Sequence, residues 1–252
     1  MSQYYSISPQ LYDDQFWWKK DDIEFWNQQI LSSNKQTSVL ELAAGTGRLA
    51  YSLIRGGVKY EGLELSNQFV DYANIKLKTD FNYSPIIQGD MRNFNLHKKY
   101  DYIFIGFNSF LHLFNNNDVE NCLLSIKKHM HSQTLFYLDV FVPDPLFLYR
   151  SNKLKMPIME FYNSTTNQEC IIQEILDYNS ENEIANIHWL YLDNMQNCFN
   201  EFKFKMKIFY PDSLVSFLTE NGFSIQNIWG SYDLEIFSED SSLQIYQCKL
   251  LS

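Results

Sequence analysis

The chain of 252 residues has little of what marks several large classes of protein. Its four cysteines form no CxxC pair, and no group of His, Cys and Asp residues has metal-ligand spacing, so neither a disulfide scaffold nor a metal site is predicted. No apolar run approaches the roughly 20 residues of a membrane span. The N-terminus is polar and aromatic, unlike that of a signal peptide. These features predict a cytoplasmic protein with buried, reduced thiols.

Positive charge is also scarce. The chain has 20 Lys and Arg against 30 Asp and Glu, a formal net charge of −10, and no basic run exceeds two residues. Because nucleic acids and anionic bilayers select basic surfaces, neither is expected as a partner.

Aromatic residues, in contrast, are abundant, with 20 Phe, 17 Tyr and 5 Trp. Most of these side chains are predicted to pack in a large core. Some of them could instead line a pocket for a planar ligand.

Helical and strand-like patterns alternate along the first 140 residues. Helices are predicted at 9–19, 20–33, 48–55, 67–79 and 118–130. Strands are predicted at 38–42, 59–64, 85–88, 102–106 and 134–140. Ser66 and Asp118 suit the N-cap positions of two of these helices. Strands that alternate with helices form right-handed crossover units, which build a parallel sheet.

The pattern changes between residues 150 and 210. Segments rich in Ile, Phe, Tyr and Trp are separated there by three Asn-rich turns, and asparagine tolerates the left-handed backbone of tight turns. These segments predict an antiparallel meander with strands at 157–162, 169–178, 184–193 and 198–209. A helix from Pro211 to about residue 221 and strands at 223–229 and 243–250 follow. The prediction is an α/β domain with an antiparallel insertion.

Residues 39–47, Val-Leu-Glu-Leu-Ala-Ala-Gly-Thr-Gly, predict a strand, a glycine turn and a helix start. Gly45 and Gly47 lack a Cβ and allow a close approach to a ligand, and the helix N-terminus offers N–H groups to a carboxylate. Glu64 ends the next strand, where it faces the ligand crevice of a doubly wound sheet and can accept both hydroxyls of a ribose. A nicotinamide dinucleotide would use the same features, so hydride transfer and methyl transfer both stay open.

Three further features favour methyl transfer. The turn reads Glu-x-Ala-x-Gly-x-Gly, unlike the Gly-x-Gly-x-x-Gly of dinucleotide sites, and Glu41 would repel a pyrophosphate but hold an ammonium group. Asp90 and Met91, after the third strand, offer an acceptor for an exocyclic amine and an apolar neighbour for an adenine face. The last two strands enclose a helix, which suits a sheet whose final strand is antiparallel.

The chain resembles the class I S-adenosylmethionine-dependent methyltransferases. The resemblance rests on four motifs in family order, namely Val-Leu-Glu-Leu-Ala-Ala-Gly-Thr-Gly-Arg48, Gly-Leu-Glu-Leu-Ser66, Gln-Gly-Asp-Met-Arg92 and Tyr-Asp-Tyr-Ile-Phe104. It covers residues 38–140 and, more loosely, 211–250. It implies S-adenosylmethionine as the cofactor and a Rossmann-like, seven-stranded methyltransferase sheet with an antiparallel β insertion after strand 5.

The resemblance also implies a role for each motif residue. The methionine part of the cofactor would lie beside Glu41, Ala43, Gly45 and Gly47. Ala43 stands where many members have glycine, which narrows the groove. The ribose and the adenine would be bound by Glu64, Leu65, Asp90 and Met91. Phe107 and Asn108, after the fourth strand, would close over the sulfonium.

The insertion resembles that of a small-molecule subgroup that includes the N-methyltransferases of amino sugars and of glycine, in which it caps the substrate pocket. Three parts are therefore expected. Residues 1–36 would form an N-terminal helical lid, residues 37–150 and 210–252 the cofactor-binding domain, and residues 151–209 the capping insertion.

Four side chains are candidates for contact with the methyl acceptor. One of them, His188, lies on the predicted insertion, with a place on the strand surface as the alternative. His112 would act as a base, with packing under the following helix as the alternative. Tyr12 would orient the acceptor or touch the cofactor, with helix packing as the alternative. Asp139, at the end of the fifth strand, would bind a substrate amine or cap the backbone.

The leading hypothesis is a methyltransferase that acts on a small polar molecule, at nitrogen or oxygen, by in-line transfer. Since the cofactor is already activated, the protein mainly aligns and desolvates the reactants. The alternatives are a protein or tRNA methyltransferase and a non-catalytic regulatory subunit that binds S-adenosylmethionine. The aromatic strands of the insertion could also form the surface of a homodimer.

Overall fold

The computed structural model describes residues 7–31 and 37–251, which form two compact units. The first unit contains residues 7–20 and 143–208, and the second contains the other described residues. The predicted lid is thus divided between the units at residue 20, and its residues 1–6 and 32–36 lie outside the described part. The first unit takes in the predicted insertion but begins at Pro143 rather than at residue 151.

Eighteen elements follow one another in these residues, apart from a short 3₁₀ turn at Ser109–His112. The helices are α1 (Pro9–Gln15), α2 (Asp21–Leu31), α3 (Arg48–Arg55), α4 (Asn67–Phe81), α5 (Asn116–Lys128), α6 (Pro145–Leu148) and α7 (Pro211–Glu220). The first seven strands are β1 (Ser38–Leu42), β2 (Lys59–Glu64), β3 (Ile86–Gln88), β4 (Tyr100–Ile105), β5 (Met130–Phe141), β6 (Met156–Asn163) and β7 (Gln168–Asn179). The last four strands are β8 (Ile184–Leu192), β9 (Cys198–Lys207), β10 (Phe223–Trp229) and β11 (Leu243–Leu250).

The second unit is built on a seven-stranded sheet in the order β3-β2-β1-β4-β5-β11-β10. Strands β1 to β5 are parallel, whereas β11 is antiparallel to both of its neighbours. The strands are short apolar runs because helices in a doubly wound fold cover both faces of the sheet. In β1, for example, every residue after Ser38 is buried. The predicted seven-stranded α/β sheet is confirmed.

The helix ends show how the sequence starts these elements. Ser66 is the N-cap of α4, as predicted, and its hydroxyl accepts from the backbone N–H of Phe69. The predicted cap at Asp118 is wrong, because α5 begins earlier and the side chain of Asn115 caps it. Asp118 lies in the first turn, where a negative charge complements the helix dipole. Asn and Asp are both favourable N-cap residues, so residue type alone does not decide whether Asn115 or Asp118 caps α5.

The first unit contains an antiparallel sheet in the order β6-β7-β8-β9, as the meander pattern predicts. Helix α1 packs against β6, and it ends at Gln15 rather than at residue 19 because Phe16 leaves the helical conformation. Seven buried residues form the core of this unit: Ile7, Leu11, Phe161, Cys170, Ile172, Tyr191 and Phe202. The hydroxyl of Tyr191 donates to the side chain of Gln15 at 2.8 Å, which fixes α1 on the sheet.

Three observations concern the classes of protein considered above. Among the described residues, no group of His, Cys, Asp and Glu side chains could hold a metal ion. None of the helices in residues 7–31 and 37–251 has the length and apolar character needed to cross a membrane. Cys198 is exposed, contrary to the prediction of four buried thiols, while Cys122, Cys170 and Cys248 are buried.

Candidate functional site

The carboxyl ends of four neighbouring strands bring the predicted cofactor residues to one edge of the sheet. Leu42 of β1 is in register with Leu63 of β2 and with Ile105 of β4, so the loops after these strands begin side by side. The strand order reverses between β1 and β4, and open α/β sheets bind their ligands at such a switch point. All ten predicted cofactor residues lie in the second unit, at or just after the ends of β1 to β4.

The glycine turn after β1 has an unusual backbone. Ala43, Gly45 and Gly47 all have positive φ, at 60°, 58° and 74°. A Cβ on Gly47 would lie 3.2 Å from the side chain of Ile86 and 3.3 Å from that of Ala73, so the turn packs closely there. A Cβ on Gly45 would meet no atom within 4 Å. Gly45 therefore borders open space, as a backbone that receives a ligand requires.

Glu64 joins two of the loops. It is 3% exposed, and its Oε2 accepts from the N–H of Gly45 at 2.9 Å while its Oε1 accepts from the N–H of Ser66 at 2.8 Å. Each carboxylate oxygen has two lone pairs, so each can accept more than one hydrogen bond. Leu65, the next residue, is 37% exposed and offers an apolar surface beside this carboxylate.

Glu41 is buried within β1, and its partner is Tyr60 of β2, whose hydroxyl donates to Oε2. Burial raises the pKa of Glu41 to about 8, although the Tyr60 hydrogen bond and the charge of Arg48 act in the other direction. Tyr60 and Gly62 share a face of β2, and a Cβ on Gly62 would lie 2.9 Å from the Tyr60 hydroxyl. Because Gly62 has no Cβ, the hydroxyl of Tyr60 has the space it needs to bond to Glu41. Sequence reasoning missed Tyr60.

Arg48, at the start of α3, forms a two-bonded ion pair with Asp22 of α2. Its Nη1 and Nη2 donate to the two carboxylate oxygens at 2.7 and 2.6 Å, and Asp22 is fully buried. The Arg48 guanidinium also lies 5.6 Å from the ring centroid of Phe107. A cation and the Glu41 carboxyl therefore flank the glycine turn. Arg48 is the last residue of a motif in the sequence but was assigned no role there, and Asp22 was not singled out.

Asp90 follows β3 and is paired with Arg92. The Nε and Nη2 of Arg92 donate to the Asp90 carboxylate at 3.0 and 2.6 Å, which holds the pKa of Asp90 below its usual range. Arg92 also donates to Asp118 at 3.3 Å. Met91 is half-buried beside Asp90. The carboxylate thus stays ionised, and Arg92 donates to both of its oxygens.

The turn after β4 is held by buried polar groups. Phe107 and Asn108 are consecutive left-handed residues, with φ of 51° and 61°. The N–H of Asn108 donates to Oδ1 of Asp139 at 3.0 Å, and its side-chain oxygen accepts from the N–H of Phe141 at 2.7 Å. Oδ2 of Asp139 accepts from the hydroxyl of Tyr232 at 2.7 Å. Of the two roles predicted for Asp139, the structure shows the one that caps backbone.

The two predicted catalytic residues belong to different units. His112 is the last residue of the 3₁₀ turn in the second unit and is half-buried. Tyr12 lies in α1 of the first unit, where its ring makes an edge contact with Phe16 at a centroid distance of 4.8 Å. This contact is consistent with helix packing, the alternative role considered for Tyr12 in the sequence analysis. The catalytic roles of both residues stay predictions.

The first unit also contains a cavity of about 760 Å³. Its lining includes the carboxylates of Asp13, Asp14, Glu160, Glu169 and Asp193 and the aromatic side chains of Trp17, Phe161 and Tyr162. None of the described residues that line it is Lys or Arg, and none is a predicted site residue. The predicted cofactor site is therefore distinct from this cavity.

Comparison with known families decides the class of the second unit. Residues 39–133 match a family model described as a methyltransferase domain. The chain contains a methyltransferase domain. The match spans β1 to the start of β5, which includes the glycine turn, Glu64, Asp90 and the turn after β4.

Similar proteins agree with this identification of a methyltransferase. An uncharacterized methyltransferase of Staphylococcus carnosus (strain TM300) is 26% identical over 175 residues, which cover 68% of this chain and 72% of the relative. An S-adenosylmethionine-dependent methyltransferase from Clostridium acetobutylicum ATCC 824 has a TM-score of 0.77 at 14% identity, with 96% and 97% of the two chains covered. The sugar N-methyltransferase KedS8 from Streptoalloteichus sp ATCC 53650 has a TM-score of 0.69 at 16% identity, with 92% and 89% covered. The family match thus identifies a methyltransferase domain, and the two solved structures share its fold.

The described residues of this methyltransferase domain fit S-adenosylmethionine, the cofactor that the sequence predicts. The open space at Gly45 provides a backbone surface for a ligand. Arg48 and Glu41 beside the turn would complement the carboxylate and the ammonium of a methionine group. Glu64 offers acceptors for ribose hydroxyls, and Asp90 is an ionised acceptor for the adenine amine. The individual assignments stay predictions.

Alanine substitutions at the two glycines of the methyltransferase turn separate packing from binding. Each puts an L-residue at positive φ, at a cost of about 1 kcal/mol. Gly45→Ala should lose only this stability but weaken S-adenosylhomocysteine binding about tenfold, since its methyl group enters the ligand's space. Gly47→Ala should lose more stability, because its Cβ crowds Ile86 and Ala73.

Denaturation and calorimetric titration measure the two effects. Gly57→Ala is the matched control, since Gly57 has a φ of 92° and a Cβ there meets no atom within 4 Å. Binding by Gly45→Ala as tight as that of Gly57→Ala would contradict the placement of the cofactor at Gly45.

Proposed function

We propose that the protein transfers the methyl group of S-adenosylmethionine to a small polar molecule, at nitrogen or oxygen. The observation that carries the proposal is the similarity in fold to a sugar N-methyltransferase over 92% of this chain, a coverage that requires most of the four-stranded insertion. The net charge of −10 supports it, because a tRNA methyltransferase needs a basic surface for its substrate.

The residues after β1, β2 and β3 would bind the cofactor, whose bound form supplies a methyl group on a positively charged sulfur. Arg48 would pair with the carboxylate of the methionine group, and Glu41 with its ammonium. Glu64 would accept from the ribose hydroxyls while it holds the glycine turn in place. Each of these groups is already fixed by a protein partner, so little side-chain order has to be gained on binding.

The turn after β4 would align the acceptor and exclude water. Phe107 would cover the reacting groups with an apolar ring, and Asn108 would fix the path of the backbone beneath it. An amine that arrives protonated must give up that proton before its lone pair can attack the methyl group, and we propose that His112 takes the proton. Tyr12 would orient the acceptor through its hydroxyl.

A panel of acceptors tests this function. The purified protein is incubated with S-adenosylmethionine and pairs of compounds that differ only in an amine or a hydroxyl, such as an amino sugar and its hydroxy analogue. Mass spectrometry measures S-adenosylhomocysteine and the methylated product. Product from a member of the small-molecule panel is the expected result.

Bulk tRNA and a protein extract serve as the competing substrates. Methylation confined to either of these would overturn the small-molecule proposal. Binding of the cofactor without turnover of any substrate would favour the regulatory subunit instead. With an accepted amine, His112→Asn should slow turnover where the amine is protonated, and this effect should disappear at high pH, where the amine is already neutral.

We also propose a cytoplasmic location and a homodimer without nucleic-acid or membrane partners. The acidic net charge and the free thiols support the location. Exposed aromatic side chains in the first unit, such as Tyr162 and Phe199, supply apolar surface for a dimer. Analytical ultracentrifugation at micromolar concentration would show a single monomeric species if the dimer proposal is wrong.

A further inference from the structure

Two consecutive residues of the turn after β4 adopt a strained backbone. Phe107 and Asn108 both lie in the left-handed region, which costs a residue other than glycine about 1 kcal/mol. Backbone strain of this kind persists only where the surrounding structure fixes it. The groups that hold this turn therefore determine whether Phe107 stays in its left-handed conformation.

The groups that fix it come from distant parts of the second unit. Asp139, near the end of β5, is 1% exposed and accepts from the N–H of Asn108 at 3.0 Å. The hydroxyl of Tyr232 donates to the other oxygen of Asp139 at 2.7 Å. Tyr232 is 93 positions away from Asp139 in the sequence, on the segment between β10 and β11. A buried carboxylate needs such donors, since desolvation would otherwise disfavour its charge.

The ring of Tyr232 is itself held in place. It makes an edge contact with Phe25 of α2 at a centroid distance of 5.7 Å. Backbone bonds close the segment around it, from Gly230 to Glu235 at 2.8 Å and from Leu243 to Gly230 at 3.3 Å. Burial and the charge of Asp139 raise the pKa of Tyr232 well above its usual range, so its hydroxyl remains a donor.

We propose that Tyr232 is a positioning residue that acts through Asp139 to hold the Phe107–Asn108 turn in the conformation that the bound cofactor requires. The inference rests on the proposed function, because it assigns to the turn the covering of the cofactor's reacting end. It gives the segment between β10 and β11 a part in the site, although this segment is more than 120 residues from the turn in the sequence.

Tyr232→Phe tests the proposal, with Tyr246→Phe as the matched control. Tyr246 is another buried tyrosine of the second unit, and its hydroxyl donates to Gln244 at 2.8 Å and to the carbonyl of Pro211 at 3.4 Å. Both changes remove one buried hydroxyl and the hydrogen bonding that it supplies. Calorimetry measures the affinity for S-adenosylhomocysteine, denaturation measures stability, and the amide resonance of Asn108 in an ¹H–¹⁵N spectrum reports its hydrogen bond to Asp139.

Both variants should lose stability, but only Tyr232→Phe should shift or broaden the Asn108 amide and weaken binding about tenfold. Wild-type affinity together with an unchanged Asn108 amide in Tyr232→Phe would overturn the proposal. If wild-type protein does not bind S-adenosylhomocysteine, the proposed function fails. The Asn108 amide then still shows whether Tyr232 holds the turn.

A second variant covers the case in which Tyr232→Phe does not fold. Asp139→Asn keeps the shape of the side chain and replaces the charged acceptor by a neutral one, which weakens the bond to the Asn108 N–H. It should move the Asn108 amide resonance upfield and reduce affinity. An affinity equal to that of wild type would overturn the proposal.

Discussion

Replacing Glu64 by alanine is expected to weaken S-adenosylhomocysteine binding by about 100-fold, since a buried, charged hydrogen-bond acceptor is lost. Two effects add in this variant. The ligand loses the carboxylate that would accept from its ribose hydroxyls. The N–H groups of Gly45 and Ser66 also lose their partner, so the glycine turn and the start of α4 are no longer joined.

Two further variants divide the effect of Glu64→Ala. Glu64→Gln keeps one oxygen acceptor and the shape of the side chain, so it should lose affinity by about tenfold. Glu61→Ala removes a carboxylate from the same strand that bonds instead to Tyr100 and Lys98, and its affinity should equal that of wild type. Calorimetric titration measures all three. Wild-type affinity in Glu64→Ala would show that the ribose binds elsewhere.

The buried carboxyl of Glu41 is expected to make the stability of the protein fall as pH rises. Its pKa is raised from 4.5 to about 8 by burial, so between these values the folded protein keeps a proton that the unfolded chain releases. The free energy of unfolding therefore decreases through this window and levels off above pH 8. At about 1.4 kcal/mol per unit of pKa, the loss is on the order of 5 kcal/mol.

Glu41→Gln removes this loss, because a neutral amide can still accept from Tyr60. Its stability should match that of wild type near pH 5 and exceed it by several kcal/mol at pH 9, as measured by urea denaturation. Glu120→Gln, an exposed position on α5, controls for the loss of one negative charge. Parallel pH profiles for wild type and Glu41→Gln would contradict the raised pKa.

The same group couples cofactor binding to proton release. As the proposed partner of an ammonium group, Glu41 has to ionise when the ligand binds. Titrations at pH 7 in buffers of different ionisation enthalpy should show nearly one proton released, and at pH 9 almost none. Equal apparent enthalpies in all buffers at pH 7 would show that Glu41 does not face the ammonium group.

Much of the fold could be predicted because its signals are local. The run Val-Leu-Glu-Leu before Gly45 and the stop at Gly56 and Gly57 mark β1 and α3 within a few residues. The Asn-rich turns mark the meander in the same way. Positions with no local signal, such as the cap of α5, were less well predicted because Asn115 and Asp118 are both good caps.

The cofactor residues could be predicted from the motifs, but their protein partners could not. Tyr60, Asp22 and Tyr232 lie 19, 26 and 93 positions from Glu41, Arg48 and Asp139, respectively. Each pairing depends on which strands and helices become neighbours, and a sequence pattern does not contain that information. The raised pKa of Glu41 has the same origin, because it depends on burial within the sheet.

The most direct test of the account is a calorimetric titration of the wild-type protein with S-adenosylhomocysteine, with a nicotinamide dinucleotide titrated in parallel. The account predicts micromolar binding of S-adenosylhomocysteine and none of the dinucleotide, since the turn Glu-x-Ala-x-Gly-x-Gly lacks the Gly-x-Gly-x-x-Gly pattern of dinucleotide sites. Binding of the dinucleotide alone, or no binding of S-adenosylhomocysteine to folded protein, would contradict it.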